Sequence, residues 1–315
     1  MAAAVHNNGG IVIAQVSEFV KRGAISPSAV TIHNSMVDFV VLASPESRAP
    51  GYDMSQYGQP AKADSTVAGE RKPPLTPRRI CARRAAMQLK PGNVVNLGIG
   101  IPDGVAAVAA EEGFDSNIVL SLESGPLGGV PVGGVGFGAS NGAAAKYPLT
   151  DNFDFYDGGG LDMAFLGAAE IDACGNVNVS NFAHKVTGPG GFINIAQNTK
   201  KICFMSTFTA GGLCTNVENG KLKVVSEGRS NKFVDKIKQI TFSAKTALED
   251  GQEVLYITER AVFKLCEAGM ELLEIAPGID LEKDVLAHMG FMPIIKSTPK
   301  TMDSRIFSGE SLQLK

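Results

Sequence analysis

The stretch VVNLGIGIPDGVAAVAAEEGFDSNIVLSLE, residues 94–123, decides the fold. Val94-Val95-Asn96-Leu97 is a short apolar run of strand character, and residues 98–104 make a glycine-rich turn. VAAVAAEE at 105–112 reads as an alanine-rich helix closed by Gly113. Residues 117–122 form a second strand with Glu123 at its C-terminal end. Strand, tight turn, helix and strand make one βαβ unit, whose strands run parallel. In open α/β sheets, ligands gather beyond the carboxyl ends of the strands. The glycine turn and Glu123 both fall there. The expected class is α/β: an open, mostly parallel sheet with flanking helices and a β-rich later portion.

Working outward, Thr76 is a good N-cap and Pro77 occupies a first helical position, where its missing N–H is harmless. The helix they start stops at Pro91-Gly92. Residues 11–16 and 37–42 read as short strands. Residues 46–76 are rich in Pro, Gly, Ser and charge without periodicity, which marks a linker. Downstream, hairpin turns are expected at 172–176 and 267–269, and a last helix from the N-cap Asp280 to near Gly290. Beyond Lys296 the chain is expected to be loosely ordered. Asp151, Asp154 and Asp157 alternate with aromatic residues and lack a closing Glu, so they read as a solvated lead-in to a strand rather than a calcium loop.

The bulk properties narrow the function. Of 315 residues, 44% are hydrophobic and 19% charged, and the formal net charge is -3. That balance suits a globular chain with a real core and gives no reason to expect a nucleic-acid partner or an acidic membrane surface. No apolar run reaches the roughly 18 residues that a membrane span needs. The start, MAAAVHNNGG, lacks the basic and apolar runs of a secretory signal, which points to a cytoplasmic or mitochondrial, non-secreted protein. Cys81, Cys174, Cys203, Cys214 and Cys266 are scattered, so they read as reduced buried thiols, with Cys203 and Cys266 in the core. The four histidines lack metal-ligand spacing, and no metal is expected. His184 reads as structural or solvent-facing.

Two chemistries compete for the βαβ unit. A dinucleotide fold needs G-x-G-x-x-G and an acidic residue about 20 positions on. Glu123 fits that spacing, and Gly98 and Gly100 fit the glycines, but the third glycine falls at 104 and Asp103 would repel a pyrophosphate. The other chemistry makes Glu123 a nucleophile. Ser124, Gly125 and the loop glycines 128, 129, 133, 134 and 136 leave room for a bulky partner. A desolvated, well-placed carboxylate can attack a thioester, and glycine loops supply N–H groups for the oxyanion.

Four ordered motifs extend this second reading: VNLGIGIPDGVA, LSLESGPLGG, LGAAEIDACGNVNVS and GPGGFINIAQNTKKICFMSTFTAGG. With VLYITERAVFKL and LEIAPGIDLEKDVL, the chain over about 1–297 resembles the catalytic half of the family I coenzyme A-transferases, in particular single-chain acetate or propionate enzymes. The resemblance implies CoA transfer between short-chain carboxylic acids by a ping-pong route through a glutamyl-CoA thioester on Glu123. Coenzyme A is then substrate and covalent intermediate, with no permanently bound cofactor. It implies backbone oxyanion donors at Gly190 or Gly191, and CoA-binding loops at Gly98, Gly100, Ser124, Gly125, Gly128 and Gly129. The expected partners are acyl-CoA and short-chain carboxylates, with no nucleic acid or membrane. A homo-oligomer is expected at full length. Relatives of this kind carry a further α/β domain before residue 1. Residues 1–45 are thus expected to be a remnant of that domain, 46–76 a linker, 77–297 the catalytic domain and 298–315 a tail. Two alternatives stand beside the enzyme: an incomplete transferase that only binds CoA or a partner, and an NAD-dependent oxidoreductase.

Overall fold

The computed structural model describes residues 1–44, 73–131 and 138–315. The glycines at 133, 134 and 136 and most of the expected linker lie outside them. The chain divides into two compact units; described residues 1–44 belong to one and the remainder to the other.

The first unit holds α1 (Ala2–Asn7) and two strands, β1 (Ile13–Val16) and β2 (Phe39–Leu42), both inside the expected ranges. They pair in parallel, from Ile13 opposite Phe39 to Val16 opposite Leu42. Ile13, Phe39, Val40, Val41 and Leu42 are all exposed, so the pair presents apolar strand surface of the kind that invites association.

The second unit is built on one ten-stranded sheet. Its strands are β3 (Val94–Leu97), β4 (Val119–Ser121), β5 (Pro126–Leu127), β6 (Ala145–Lys146), β7 (Met163–Gly167), β8 (Lys201–Met205), β9 (Glu253–Ile257), β10 (Ala261–Cys266), β11 (Gly269–Ile275) and β12 (Lys300–Thr301). They lie in the order β12-β11-β10-β9-β8-β7-β3-β4-β5-β6. The block β9-β8-β7-β3-β4 is parallel throughout. Antiparallel strands extend it on both sides, and β12 pairs parallel to β11. The runs MAFLG, KICFM and EVLYI are almost wholly buried, as expected where both faces of a parallel strand are covered. The expected βαβ unit is present. The helix α3 (Asp103–Glu111) joins β3 to β4, with Val95 opposite Leu120 and Asn96 opposite Ser121.

Helix α2 (Pro77–Ala86) begins as its sequence dictates, with Thr76 Oγ1 accepting the Arg79 N–H. It is buried from Ile80 to Ala86, including Arg83 and Arg84. A Cβ on Gly104 would come within 2.9 Å of Ala82 Cβ, so Gly104 serves the close approach of α3 to α2. Arg84 forms a bidentate pair with Glu274 at 2.8 Å. Arg83 donates to the carbonyls of Arg305, Ile306 and Glu310.

Those last bonds overturn the loosely ordered tail. The segment beyond Lys296 supplies β12 and buries Met302, Ile306, Phe307 and Leu312. Glu112 holds it by accepting from Ser311 Oγ (2.6 Å), Leu312 N (2.8 Å) and Gln313 N (3.1 Å). Burial pulls the Glu112 pKa upward, but these hydrogen bonds and the Arg83 charge outweigh it and hold the carboxyl below its ordinary value. A depressed carboxyl pKa contributes stability above the unfolded-state pKa, and that stability fades as pH falls through the folded value. Glu112→Gln is therefore expected to lose about 1–2 kcal/mol at neutral pH. The difference from the parent should fade as pH falls below the ordinary glutamate pKa and through the lowered folded-state value. Denaturant titrations at neutral and acid pH check it.

Three further helices, α4 (Leu149–Asp157), α5 (Phe192–Gln197) and α6 (Ala244–Glu249), complete the unit. The first corrects the strand lead-in expected at 151–157. Asn152 and Tyr156, one turn apart, are buried, while Asp151, Asp154 and Asp157 face solvent. The hairpin at 172–176 is present between Glu170–Ile171 and Val177–Asn178, and that at 267–269 joins β10 to β11. Asp280 caps a π-helical turn, Leu281–Val285, that continues to His288. Among the thiols, Cys81 and Cys203 are buried, Cys266 is half-buried at its strand end, and Cys174 and Cys214 are exposed, contrary to the buried set expected. Burial pushes the Cys203 thiol up to about 12. Among the described residues, no helix is long and apolar enough to cross a membrane.

Candidate active site

Glu123 stands in a turn rather than at the end of a strand. Past β4 the chain reverses through Leu122-Glu123-Ser124-Gly125, closed by Gly125 N–H to Leu122 O (2.9 Å) and Leu122 N–H to Pro126 O (2.9 Å). Glu123 and Ser124 thus occupy the two central, outward positions. Gly125 has φ +113, and a Cβ there would collide with the Tyr147 carbonyl oxygen, so the turn requires glycine at this place. Ser124 Oγ donates to the Gly138 carbonyl.

The turn is clamped from α4 and β3. Asn152 Nδ2 donates to the carbonyls of Leu122 (3.0 Å) and Glu123 (3.1 Å). Asn96 Nδ2 donates to Ser121 O (3.0 Å), and the Tyr156 hydroxyl bonds Ser121 Oγ (2.8 Å). Asn96, Ser121, Asn152 and Tyr156 are all buried. Truncating Asn152 to Ala would strip two carbonyls of their donor beneath Glu123. The expected loss is about 1–3 kcal/mol of stability, read by chemical denaturation.

Beyond the turn lies a cleft of about 1040 Å³ at the carboxyl ends of β3, β4 and β7. Its walls include Gly98, Ile99, Glu123, Ser124, Ala168 and the loop 187–192. Gly191 meets Glu123 directly. A Cβ on Gly191 would lie 2.5 Å from Glu123 Oε2, 2.7 Å from its Cδ and 2.9 Å from Phe153 Cζ. Among the described residues nothing donates a hydrogen bond to the Glu123 carboxylate and no cation pairs with it. Partial burial, unopposed, raises its pKa above the ordinary glutamate value. Gly190, at φ +55, has open space at its Cα.

The other glycines divide. Gly98 lines the cleft. Gly100 lines a separate depression of about 270 Å³ with Thr76, Arg78 and Arg79. Its N–H is already bonded to Asp103 Oδ2 (3.0 Å). That carboxylate sits at the start of α3, where a dinucleotide pyrophosphate would have to bind, which weighs against the oxidoreductase alternative. Gly128 and Gly129, at φ +75 and +76, are outside the cleft wall, and both shape the loop against residues 140–144. His184 is exposed at φ +60 in the two-residue turn between Asn181–Phe182 and Lys185–Val186.

Sequence reading missed Asn152, Tyr156 and Lys232. The first two stand at helical i, i+4 spacing, but that spacing does not by itself mark an inward face. Lys232, on the cleft wall, carried no signal.

No protein-family model matches the chain. It is 46% identical over 309 residues to the acetate CoA-transferase YdiF of Escherichia coli O157:H7, covering 98% of this chain and 58% of that one. It is 44% identical over 321 residues to the caffeate CoA-transferase of Acetobacterium woodii, covering 98% and 60%. The crystal structure of the acyl-CoA transferase YdiF from E. coli O157:H7, a thioester complex with CoA, superposes with a TM-score of 0.86 at 44% identity, over 100% of this chain and 59% of that one. The chain thus spans less than two thirds of the length of these relatives.

Proposed function

Since the chain belongs to the family I coenzyme A-transferases, we propose that its activity is the transfer of coenzyme A between short-chain carboxylic acids, with Glu123 as the covalent carrier. The observation that carries this reading is the Glu123 carboxylate itself. It is unpartnered among the described residues, partly desolvated, and set in a cleft large enough for a pantetheine arm and an acyl group.

In the proposed sequence a Glu123 oxygen attacks the thioester carbonyl of acyl-CoA. The C–S bond breaks, leaving an acyl-glutamyl anhydride and CoA thiolate. The thiolate attacks the glutamyl carbonyl and expels the first acid as its carboxylate, which leaves a glutamyl-CoA thioester. An acceptor carboxylate then runs the steps in reverse and departs as the new acyl-CoA. Each attack places negative charge on a carbonyl oxygen. Gly190 and Gly191 are the proposed donors, because their N–H groups have no acceptor among the described residues and Gly191 abuts the carboxylate. Gly98, Ser124 and the 187–192 loop are the proposed walls for substrate and CoA.

Intact mass spectrometry of the chain mixed with acetyl-CoA tests this. A gain of CoA less one water, mapped to Glu123, supports the carrier role. A folded chain that acquires no such mass, alone or with a preceding transferase domain supplied, overturns it.

A further inference from the structure

Helix α4 touches both halves of the proposed chemistry. From its first turns Asn152 Nδ2 holds the Leu122 and Glu123 carbonyls at 3.0 and 3.1 Å. Phe153 Cζ lies 2.9 Å from where a Cβ on Gly191 would be. At the far end the Asp157 carboxylate accepts from Asn194 Nδ2 through both oxygens (3.0 Å each), and the Asp157 carbonyl accepts from Asn198 Nδ2 (2.6 Å). Asn194 belongs to α5, the helix that Gly191 caps. One short helix thus joins the Glu123 turn to the 190–191 loop.

Tyr156 fastens that helix to the end of β4. It is 1% exposed, and its hydroxyl bonds the Oγ of the fully buried Ser121 at 2.8 Å. Ser121 lies two residues before Glu123. Asn96 Nδ2 reaches the Ser121 carbonyl at 3.0 Å and the same hydroxyl at 3.4 Å. Burial raises the phenol pKa above its ordinary value, so the hydroxyl keeps its proton at neutral pH. The Glu123 charge adds to that rise, which shows the two groups near enough to interact. Packing alone does not account for the cluster. Asn96 Oδ1 and Asn152 Oδ1 are buried and accept no hydrogen bond among the described residues, an arrangement that costs stability. Both amides direct their donors at the carbonyls of residues 121–123, the backbone that aims Glu123.

We propose that Tyr156 is a positioning residue for Glu123: its buried hydroxyl fixes the end of β4 to α4 and so holds the carboxylate at a set place against the Gly191 loop. This rests on the transferase reading. A reacting group displaced by about an ångström loses about 10²-fold in rate, so a hydroxyl that touches no substrate can set the rate.

Tyr156→Phe removes the hydroxyl and keeps the ring. In the full chain, the rate of CoA-adduct formation at saturating acetyl-CoA should fall about 10-fold, the scale of one buried hydrogen bond. The half-saturating concentration should stay that of the parent. Amide hydrogen exchange reads the same loss without turnover. The Leu122 and Gly125 N–H groups, which close the turn, should exchange about 10-fold faster, with the amides of α5 and β8 unchanged. Ser121→Ala removes the other end of the bond and should reproduce both effects, and the double variant should add little to either single one. Unchanged exchange at the turn in both variants overturns the proposal. So does faster exchange with an undiminished adduct rate, the outcome of a merely structural role. A parent chain that forms no adduct, even with a preceding transferase domain supplied, sinks the transferase reading and this proposal with it. A parent that forms the adduct at a rate neither variant changes sinks this proposal alone.

Discussion

Glu123→Gln is expected to abolish formation of the CoA adduct and to lower any CoA transfer by about 10⁴-fold or more, the scale seen when an enzymatic nucleophile is removed. The amide is nearly isosteric with the carboxyl group and sits in the same turn, so the Leu122–Gly125 reversal and its Asn152 clamp stay in place. What disappears is a partly desolvated carboxylate oxygen that is unbonded among the described residues. Stability should move the other way. A carboxyl whose pKa is raised on folding favours its protonated form in the native state, so it opposes folding increasingly as pH rises through the folded value. The Gln variant should melt no lower than the parent at neutral pH, and relatively higher as pH increases. Inactivity with an unchanged or raised melting temperature separates chemistry from misfolding. The same shift sets the pH profile of the parent. Adduct formation needs the ionised carboxylate, so its rate should climb through a midpoint above the ordinary glutamate pKa. A rate already at its plateau at that ordinary value would contradict the desolvated carboxylate.

The elements that could be read from sequence are those with local causes. Thr76-Pro77 starts α2, Gly113 ends the α3 region, and alternating apolar and glycine segments mark β3, α3 and β4. The hairpins at 172–176 and 267–269 announce themselves by turn residues. Glu123 was legible for the same reason, because an apolar strand run precedes it and the turn-formers Ser124, Gly125 and Pro126 follow it. The misread elements depend on partners far along the chain. Asp151, Asp154 and Asp157 looked like a strand lead-in because the aromatic residues between them alternate. Only the burial of Asn152 and Tyr156 against residues 96 and 121–123 reveals the helical face. The C-terminal segment is polar enough to suggest disorder, but Arg83 and Glu112, some 200 positions earlier, hold it. Lys232 lies in a run of ordinary charges, and its place on the cleft wall is a property of the fold rather than of its neighbours in sequence.

Gly191 is where these two kinds of information meet, and Gly191→Ala is expected to lower adduct formation by about 10²-fold, the usual penalty for misplacing a reacting group by an ångström. Its backbone, at φ -76 and ψ -2, is one that alanine adopts without strain. Any loss must therefore come from the methyl group, which would lie 2.5 Å from Glu123 Oε2 and 2.9 Å from Phe153 Cζ. Neither neighbour can ignore it: the phenyl ring belongs to α4, and the carboxylate is the mobile partner that would swing away. Gly190→Ala is the informative companion. Gly190 has open space at its Cα but a positive φ of +55, so alanine there is strained in backbone and unobstructed in space. If Glu123 must sit against the 190–191 loop for its thioester to form, Gly191→Ala should lose the adduct with little change in melting temperature. Gly190→Ala should instead lose about 1 kcal/mol of stability first. Equal adduct yields from parent and Gly191→Ala would mean that the carboxylate reacts from a position away from this loop, and the Gly190–Gly191 amides would lose their proposed part in holding the oxyanion.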